Sequence, residues 1–564
     1  MSKYFIGLST TGHDPAIAIV NPKGQVIFAE STERFLQDKR AWGAMPDQVN
    51  HIRPVLKGIL AEDPHATFQM ATSWLAAKAD TINDPHDVFI AKDVINWMAS
   101  LQKQQQEYAG KNLQFVLGTR VCESIWQFDH HLCHAVNAVY SAPFENAACV
   151  ILDGEGEVGA ASLYSWNDGQ LRRKWRSWGP GSLGAFYSWL TDLSGFSSVN
   201  GEEWKVMGLA AYGAPVEEWV NRLLCLLEIT DGRIHWANRE VMANIINFFE
   251  SEVSFKGKPY MAAANLAASA QTAYSRYTLK ILQDVHTQTG HDNLILGGGC
   301  ALNSSFNGTI TNSTPFKCVH VPSAPADDGN AIGAALLAWQ KSMSEAGQKA
   351  IISHNQGLPY LGSAPEKCDT DKIYNHAGAY HARYLKDDGA EELAQLLAQG
   401  KIVGVMRGAA EFGPRALGHR SILADPRSPN IKDKINALVK GREAYRPFAP
   451  VIPIERVTDW FVNPQPSPYM SFTLKWKYPQ SEQVPAVVHE DGTGRLQTLT
   501  AETAPWLKRV TELFGEITGV PVLLNTSFNI MGKPIVHSVN DAVSVFMSSG
   551  LDAVLIDTLL LTKK

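Results

Sequence analysis

The chain has 564 residues, 45% of them hydrophobic and 19% charged, enough apolar material for two to four globular domains. A net charge of −6 and a pI near 6.3 exclude wholesale binding to nucleic acid or an anionic membrane. No run approaches the ~20 apolar residues of a membrane span, and MSKYFIGLST has no secretory leader pattern. Seven cysteines stand scattered at 122, 133, 149, 225, 300, 318 and 368 with no CxxC pair, which points to a reduced cytoplasm.

The first thirty residues predict a strand at Tyr4–Ser9, a polar loop at Thr10–Pro15, a strand at Ala16–Val20, a turn at Asn21–Gly24 and a strand from Val26. The same order returns at Cys149–Asp153, Gly154–Gly159 and Ala160–Trp166, with Asn167-Asp168-Gly169 turning into another strand. This reads as an internal repeat of the kind found in actin- and sugar-kinase-like folds. Two unrelated hairpins in a mixed domain would look similar.

Leu223–Ile229, Val241–Phe249, Leu266–Val285 and Ile332–Ser342 carry helical spacing, and Leu294–Leu296 is a short strand entering Gly297-Gly298-Gly299. Periodicity fades over 343–375, where Gly, Pro, Ser and Asn gather, and residues 356–375 are the candidate linker. A second α/β unit begins with a helix at Gly389–Gln399 and a strand at Ile402–Met406. It ends with strands around Val520–Leu524 and Ala553–Ile556.

Residues 128–135 read FDHHLCHA. On a helix His130 and His134 share a face one turn apart, a spacing that suits a divalent transition metal. His131 points off that face. Asp153, ending an apolar strand before Gly-Glu-Gly-Glu, can reach an ion unobstructed, and Asp327 offers another oxygen. Histidines at this spacing also occur on helix surfaces and in cores.

The run Gly297–Gly299, followed by Asn303, lets backbone approach a nucleotide, although it matches neither GxGxxG nor a Walker A motif. A tight strand–helix turn would use the same glycines. Downstream, residues 407–448 concentrate Arg407, Arg415, His419, Arg420, Arg427, Lys440, Arg442 and Arg446. Asn525-Thr526-Ser527 adds amide and hydroxyl groups. Guanidinium forks with such partners suit several phosphates better than a nucleic-acid groove, which needs interleaved stacking aromatics.

The strings GHDPAIAIV, ERFLQDK, DHHLCHA, LDGEGE, KVMGLAAYG, GGGCALN and DDGNAIGAA run in order along the first part. EFGPRALGHRSILADPR, KGREAYRPFAP, HEDGTGRLQT and NTSFNIMGKPI follow in the second. Together they resemble the carbamoyltransferase family that includes nodulation-factor, cephalosporin and tobramycin carbamoyltransferases. The resemblance implies an α/β protein. An actin-like (ASKHA) domain over 1–355, similar to tRNA threonylcarbamoyl-transfer enzymes, would be joined to a YrdC-like domain over 376–564. It further implies that carbamoyl phosphate and ATP form carbamoyl adenylate in the YrdC-like domain, with loss of phosphate and pyrophosphate. A hydroxyl of a small-molecule natural product then takes the carbamoyl group in the first domain.

Carried over by position, His130, His134, Asp153 and Asp327 would hold the metal, with iron(II) expected. His13 and Asp14 would face the acceptor, His13 being the preferred general base. Lys39 and Lys205 would meet the adenylate, and Gly297, Gly298, Gly299 and Asn303 would back the nucleotide. Arg415, Arg420, Lys440, Arg446, Arg495, Asn525 and Ser527 would form the carbamoyl phosphate and ATP pocket, where Mg2+ accompanies ATP. Gln37, Asp38, His419 and Met531-Gly532-Lys533 depart from the family pattern and bring local substrate contacts into question.

The alternatives are threonylcarbamoyl transfer to tRNA, which the acidic charge opposes, and a non-catalytic nucleotide-binding scaffold, which would have lost the metal acids or the pocket arginines. The acceptor is not legible. An antibiotic sugar, a cephem, a macrolide and a saxitoxin-type alkaloid all fit, and the tryptophan-bearing segments near 42, 74 and 188 carry no code for it. Oligomeric state is equally silent, a homodimer being left open.

Overall fold

The computed structural model describes residues 2–75, 89, 92–179, 181–354, 359–376 and 378–564. It divides into two units. The first comprises Met1–Glu33, Arg40–Asn303 and Thr309–Gly357, and the second Arg34–Lys39, Ser304–Gly308 and Leu358–Lys564. Of the segment 356–375 read as a linker, residues 367–375 form a helix, Lys367–Asn375, and 356–358 lie outside the described residues.

The first unit is built on a duplication. Strands β1 (Lys3–Leu8), β2 (Ala16–Val20), β3 (Val26–Ser31), β4 (Thr67–Thr72) and β5 (Val121–Gln127) make one sheet in the order β3-β2-β1-β4-β5. The first three are antiparallel, whereas β4 pairs parallel to β1 and β5 parallel to β4. The second sheet contains β6 (Asn146–Leu152), β7 (Ala161–Asn167) and β8 (Gln170–Arg176). A separate ribbon, β9 (Leu227–Thr230) and β10 (Arg233–Trp236), precedes its last strands, β11 (Asn293–Gly297) and β12 (Cys318–His320). Its order, β8-β7-β6-β11-β12, repeats the first sheet strand for strand, with the same parallel and antiparallel senses. The expected repeat is therefore present as two copies of one βββ-β-β sheet, the topology of the actin-like class.

On β1, β2, β4, β6 and β7 alternation gives way to near-continuous burial, because both faces are covered there. Ile6, Leu8, Ile17, Phe28, Phe68 and Met70 pack with Ile52 and Leu56 of the helix Val49–Glu62. The helices His130–Ser141 and Asn330–Glu345 pack against each other, and Gly333 makes this contact close. A Cβ there would lie 2.1 Å from the Cys133 carbonyl oxygen.

Leu223–Ile229, read as helical, is a correction. The helix Glu217–Leu223 ends where that segment begins, and Leu227 enters the β9–β10 hairpin. Its turn, Asp231-Gly232, has φ of 49° and 75°, the left-handed pair that a two-residue hairpin requires.

The second unit contains β13 (Tyr380–Tyr384), β14 (Val403–Met406), β15 (Arg420–Ala424), β16 (Ala449–Pro453), β17 (Phe472–Lys475), β18 (Thr493–Leu499), β19 (Leu523–Ser527), β20 (Ala553–Ile556) and β21 (Leu559–Lys563). They form one mixed sheet in the order β13-β21-β20-β14-β15-β19-β16-β18-β17. Leu393, Leu397, Val403, Val405, Val510, Phe514, Leu523 and Leu555 join it to the helices Ala390–Ala398 and Pro505–Thr518. The α/β class expected for both units is found. No helix among the described residues is long and apolar enough to cross a membrane.

Candidate metal and anion sites

In the first unit the helix carrying the two histidines begins at His130. Asp129 is its N-cap, accepting a hydrogen bond from the Leu132 N–H at 2.9 Å. Asn137 on the same helix donates to the Ala324 carbonyl at 2.7 Å and so draws in the loop that ends at Asp327. Asp153 follows β6 directly, and its Oδ1 accepts the Gly299 N–H at 2.8 Å. The glycine run is therefore bonded to a candidate metal ligand. Gly298 has φ of 85°, and a Cβ there would lie 2.2 Å from the Leu152 carbonyl oxygen, so only glycine fits the turn.

These restraints bring four donors together. Asp153 Oδ2 lies 3.1 Å from His130 Nε2 and 3.2 Å from His134 Nε2. Asp327 Oδ1 lies 3.5 and 3.3 Å from the same two nitrogens, which are 3.3 Å apart. One ligand atom from each residue falls within 4.8 Å of the others. Burial alone would lower the two imidazoles, yet Asp153 and Asp327 raise both, His130 well above its ordinary value. Burial would raise the carboxylates, and the histidines hold both below their usual range. A field that favours protons on two buried imidazoles equally favours a cation between them.

The donor set fits a divalent ion, since two neutral imidazoles and two carboxylates sum to zero around it. Asn330 completes the fit. Its amide lies 3.1 Å from His130 Nδ1, and its buried Oδ1 has no partner among the described residues. Turned end for end, that amide accepts from Nδ1–H and leaves the Nε2 lone pair for a metal. Trp74 stacks on the His130 ring at 4.3 Å. His131 bonds Ser162 Oγ at 2.8 Å and is outside the four-donor group.

His13 stands beside this group, its Nδ1 2.9 Å from Asp14 Oδ2 and 3.6 Å from Asp327 Oδ2. Two carboxylates at Nδ1 favour the tautomer with its proton there, which leaves Nε2 as an acceptor. Gln105 fixes the loop by accepting the Gly12 N–H at 2.7 Å and donating to the Ala44 carbonyl. Burial would raise Asp14, but Arg40, at 3.2 Å, and His13 hold it below the carboxylate range. Gln105 and Arg40 were not among the sequence-predicted residues. Their distance along the chain from His13 and their ordinary side chains gave no signal.

Lys205 pairs with Glu202 at 2.6 Å between the rings of Phe196 and Trp204. Asn303 exchanges amide hydrogen bonds with Gln271, both 3.1 Å. Lys39 belongs to the second unit, where burial first, then Arg442 and Arg446, and last its own charge lower the Lys440 ammonium well below its ordinary value.

In the second unit the expected basic residues divide by what accepts their protons. Arg420 is fully buried. Its Nη1 donates to the carbonyls of Arg407 and His419, and its Nη2 to those of Ser363 and Gly408, at 2.7–3.1 Å. All four terminal N–H groups are spent on backbone, so Arg420 frames the turn instead of facing phosphate. Lys440 Nζ is likewise taken by Ser527 and Asn529, with Asn529 Oδ1 at 2.5 Å. Asn525 donates to the Ala416 carbonyl and to Gln497.

Arg415 and Arg495 are different. No hydrogen bond or ion pair engages the Arg415 guanidinium among the described residues, and burial pushes it down to about 10. Arg495 Nε is buried without an acceptor, and burial, Arg415 and Arg442 drive it well below its ordinary range. Burial and Arg446 bring Arg442 down to about 9, and Arg446 itself pairs with Glu443 at 3.0 Å. Guanidiniums crowded this way, with Arg415 and Arg495 facing no carboxylate among the described residues, form a candidate anion site. Arg442 was visible in the sequence as one cation among many, with nothing to single it out.

The sequence matches the family model described as Carbamoyltransferase N-terminus over residues 4–336 and the one described as Carbamoyltransferase C-terminus over 394–563. A Synechocystis protein, sll1178, is 31% identical over 612 residues, spanning 99% of this chain and 97% of its own. The nodulation protein NolO of Bradyrhizobium diazoefficiens is 35% identical over 446 residues, 77% of this chain and 79% of its own. A solved structure, the activator of 2-hydroxyisocaproyl-CoA dehydratase from Clostridium difficile, aligns with 62% of this chain and 99% of its own at 12% identity. The TM-score of that alignment is 0.32.

Proposed function

The chain belongs to the carbamoyltransferase family, and from that premise we propose that it is an ATP- and carbamoyl phosphate-dependent O-carbamoyltransferase with a separate site in each unit. The observation that carries the two-site reading is the guanidinium cluster of the second unit, in which Arg415 and Arg495 have no carboxylate among the described residues to neutralise them. Such a cluster favours a bound polyanion, and ATP with carbamoyl phosphate supplies several phosphates. The second unit is read as YrdC-like on this ground and on the family resemblance.

There, carbamoyl phosphate gives up phosphate to water, and the carbamate oxygen attacks the α-phosphorus of Mg2+-bound ATP. The products are carbamoyl adenylate and pyrophosphate. Arg415, Arg442 and Arg495 hold the phosphate charge that develops on the leaving groups. Adenylation converts a poor electrophile into a mixed anhydride with AMP as its leaving group.

In the first unit the acceptor hydroxyl attacks the carbamoyl carbon. His13 Nε2 takes its proton, and Asp14 steadies the imidazolium through Nδ1–H. The C–O bond to AMP then breaks, leaving the carbamate ester. His130, His134, Asp153 and Asp327 would hold a divalent ion there, iron(II) being the expected one, and it would supply Lewis acidity for the oxyanion at the carbonyl. The acceptor is a hydroxyl on a small molecule.

Product analysis with ATP, carbamoyl phosphate and metal tests the scheme. The wild-type chain releases pyrophosphate, Arg495→Ala loses that release, and His130→Ala retains it while losing carbamoylation of the acceptor. Pyrophosphate release that survives in Arg495→Ala refutes the second-unit assignment.

A further inference from the structure

Arg34 lies in the sequence three hundred and more residues before the anion site, yet Arg34–Lys39 packs as part of the second unit. Gln37 Nε2 donates to the Ile535 carbonyl at 3.0 Å, Lys533 Nζ returns a bond to the Gln37 carbonyl at 3.2 Å, and Phe35 meets His537 edge-on at 5.5 Å. Arg34 is 2% exposed, and its fork closes on two carbonyls. Nη1 donates to Glu411 O, and Nη2 to Gly413 O at 2.6 Å.

Those carbonyls begin the turn that presents Arg415. Gly413 has φ of 118°, a conformation open to glycine but one of many it can adopt, so a restraint on its carbonyl narrows the turn. The far side of the turn has its own restraints. Glu411 Oε1 accepts the N–H groups of Leu417, His419 and Arg420 at 2.6, 2.9 and 3.1 Å, and Asn525 holds the Ala416 carbonyl at 3.1 Å. Arg34 supplies the near side. Between the two grips, the Arg415 guanidinium has no acceptor of its own among the described residues.

Building on the anion-site reading above, we propose that Arg34 is a positioning residue for that site. Through the Glu411 and Gly413 carbonyls it sets the turn from which the Arg415 guanidinium meets a phosphate. A planar fork can hold two carbonyls at once, whereas an ammonium is a point donor, so lysine replaces it poorly.

The test uses the full chain and inorganic pyrophosphate. Calorimetry should show pyrophosphate binding about tenfold weaker in Arg34→Lys and weaker still in Arg34→Ala. Amide exchange should quicken over 411–416 in both variants, with exchange at β20 unchanged. That second measurement needs no ligand, and lysine is the milder variant should alanine disturb folding. Unchanged exchange over 411–416, or equal pyrophosphate affinity in wild type and Arg34→Lys, overturns the proposal. Pyrophosphate failing to bind the wild-type chain overturns the anion-site reading, and the proposal with it, while faster exchange would still report Arg34's grip on the turn.

Discussion

Buried histidines in the first unit differ by what faces them. His130 and His134 face carboxylates and are raised, whereas burial drives His320 down to about 3. His320 Nε2 lies 2.9 Å from Ser141 Oγ, a partner that satisfies a neutral ring. Its folded value lies below the ~6.5 of an unfolded histidine, so its stabilisation is complete above that pH. It is lost as pH falls toward about 3, because the unfolded chain binds the proton first. Replacing His320 with glutamine should flatten the pH dependence of the unfolding free energy, read from urea melts, below pH ~6.5 by at most about 1.4 kcal/mol per pH unit. Parallel slopes for the two proteins would show that His320 does not titrate this way. At this scale the sequence displayed the H-x3-H pair and two acids beside glycines, and those four residues do converge. It displayed Arg415, Arg420 and Lys440 as equals. Only the acceptors around them separate a guanidinium spent on four carbonyls from one that faces none.

At the scale of elements, the turn after β11 links sheet and site. Gly298→Ala would place a methyl against the Leu152 carbonyl at a φ of 85°, so the backbone must shift the Gly299 N–H that holds Asp153. The expected cost is about 2–4 kcal/mol. Loss of metal affinity should accompany it, read by thermal melting with and without added divalent ion. A variant that melts and binds metal like wild type would remove the turn's positioning role. Elements with a strong period were legible, including β2, β20, the long helix Ala264–Thr289 and both copies of the hairpin unit. The misread segment at Leu223–Ile229 was a short apolar run, in which helical and extended periods coincide. The better signal was Asp231-Gly232 after it. The final strand, β21, follows a two-residue turn at Asp557-Thr558, where Asp557 has φ of 47°, and was not predicted, although that polar pair between two apolar runs was the available signal.

At the scale of the whole molecule, the second unit is not a continuous stretch. Besides Arg34–Lys39 it includes Ser304–Gly308, where Asn307 donates to the Ser471 carbonyl at 3.1 Å and the Ser304 and Thr473 hydroxyls meet at 3.1 Å. A fragment of residues 358–564 lacks both stretches and leaves the carbonyls of Glu411, Gly413 and Ser471 without these donors. It should melt more broadly and at least several degrees below the corresponding transition of the full chain, and it should bind a dye for exposed apolar surface. A sharp transition at the full-chain temperature would show the fragment to be self-sufficient.

Strand and helix periods, the repeated hairpin, the paired histidines and the family strings were determined by the sequence, because each is a local pattern and short-range sterics and burial act on neighbours along the chain. Which donors meet was decided by tertiary structure. His130, Asp153 and Asp327 converge because a close helix crossing at Gly333 and a glycine turn at 298 bring distant segments within bonding distance. Arg34 reaches the Arg415 turn for the same kind of reason. A hydrogen bond depends on separation in space, and that quantity has no counterpart in position along a chain.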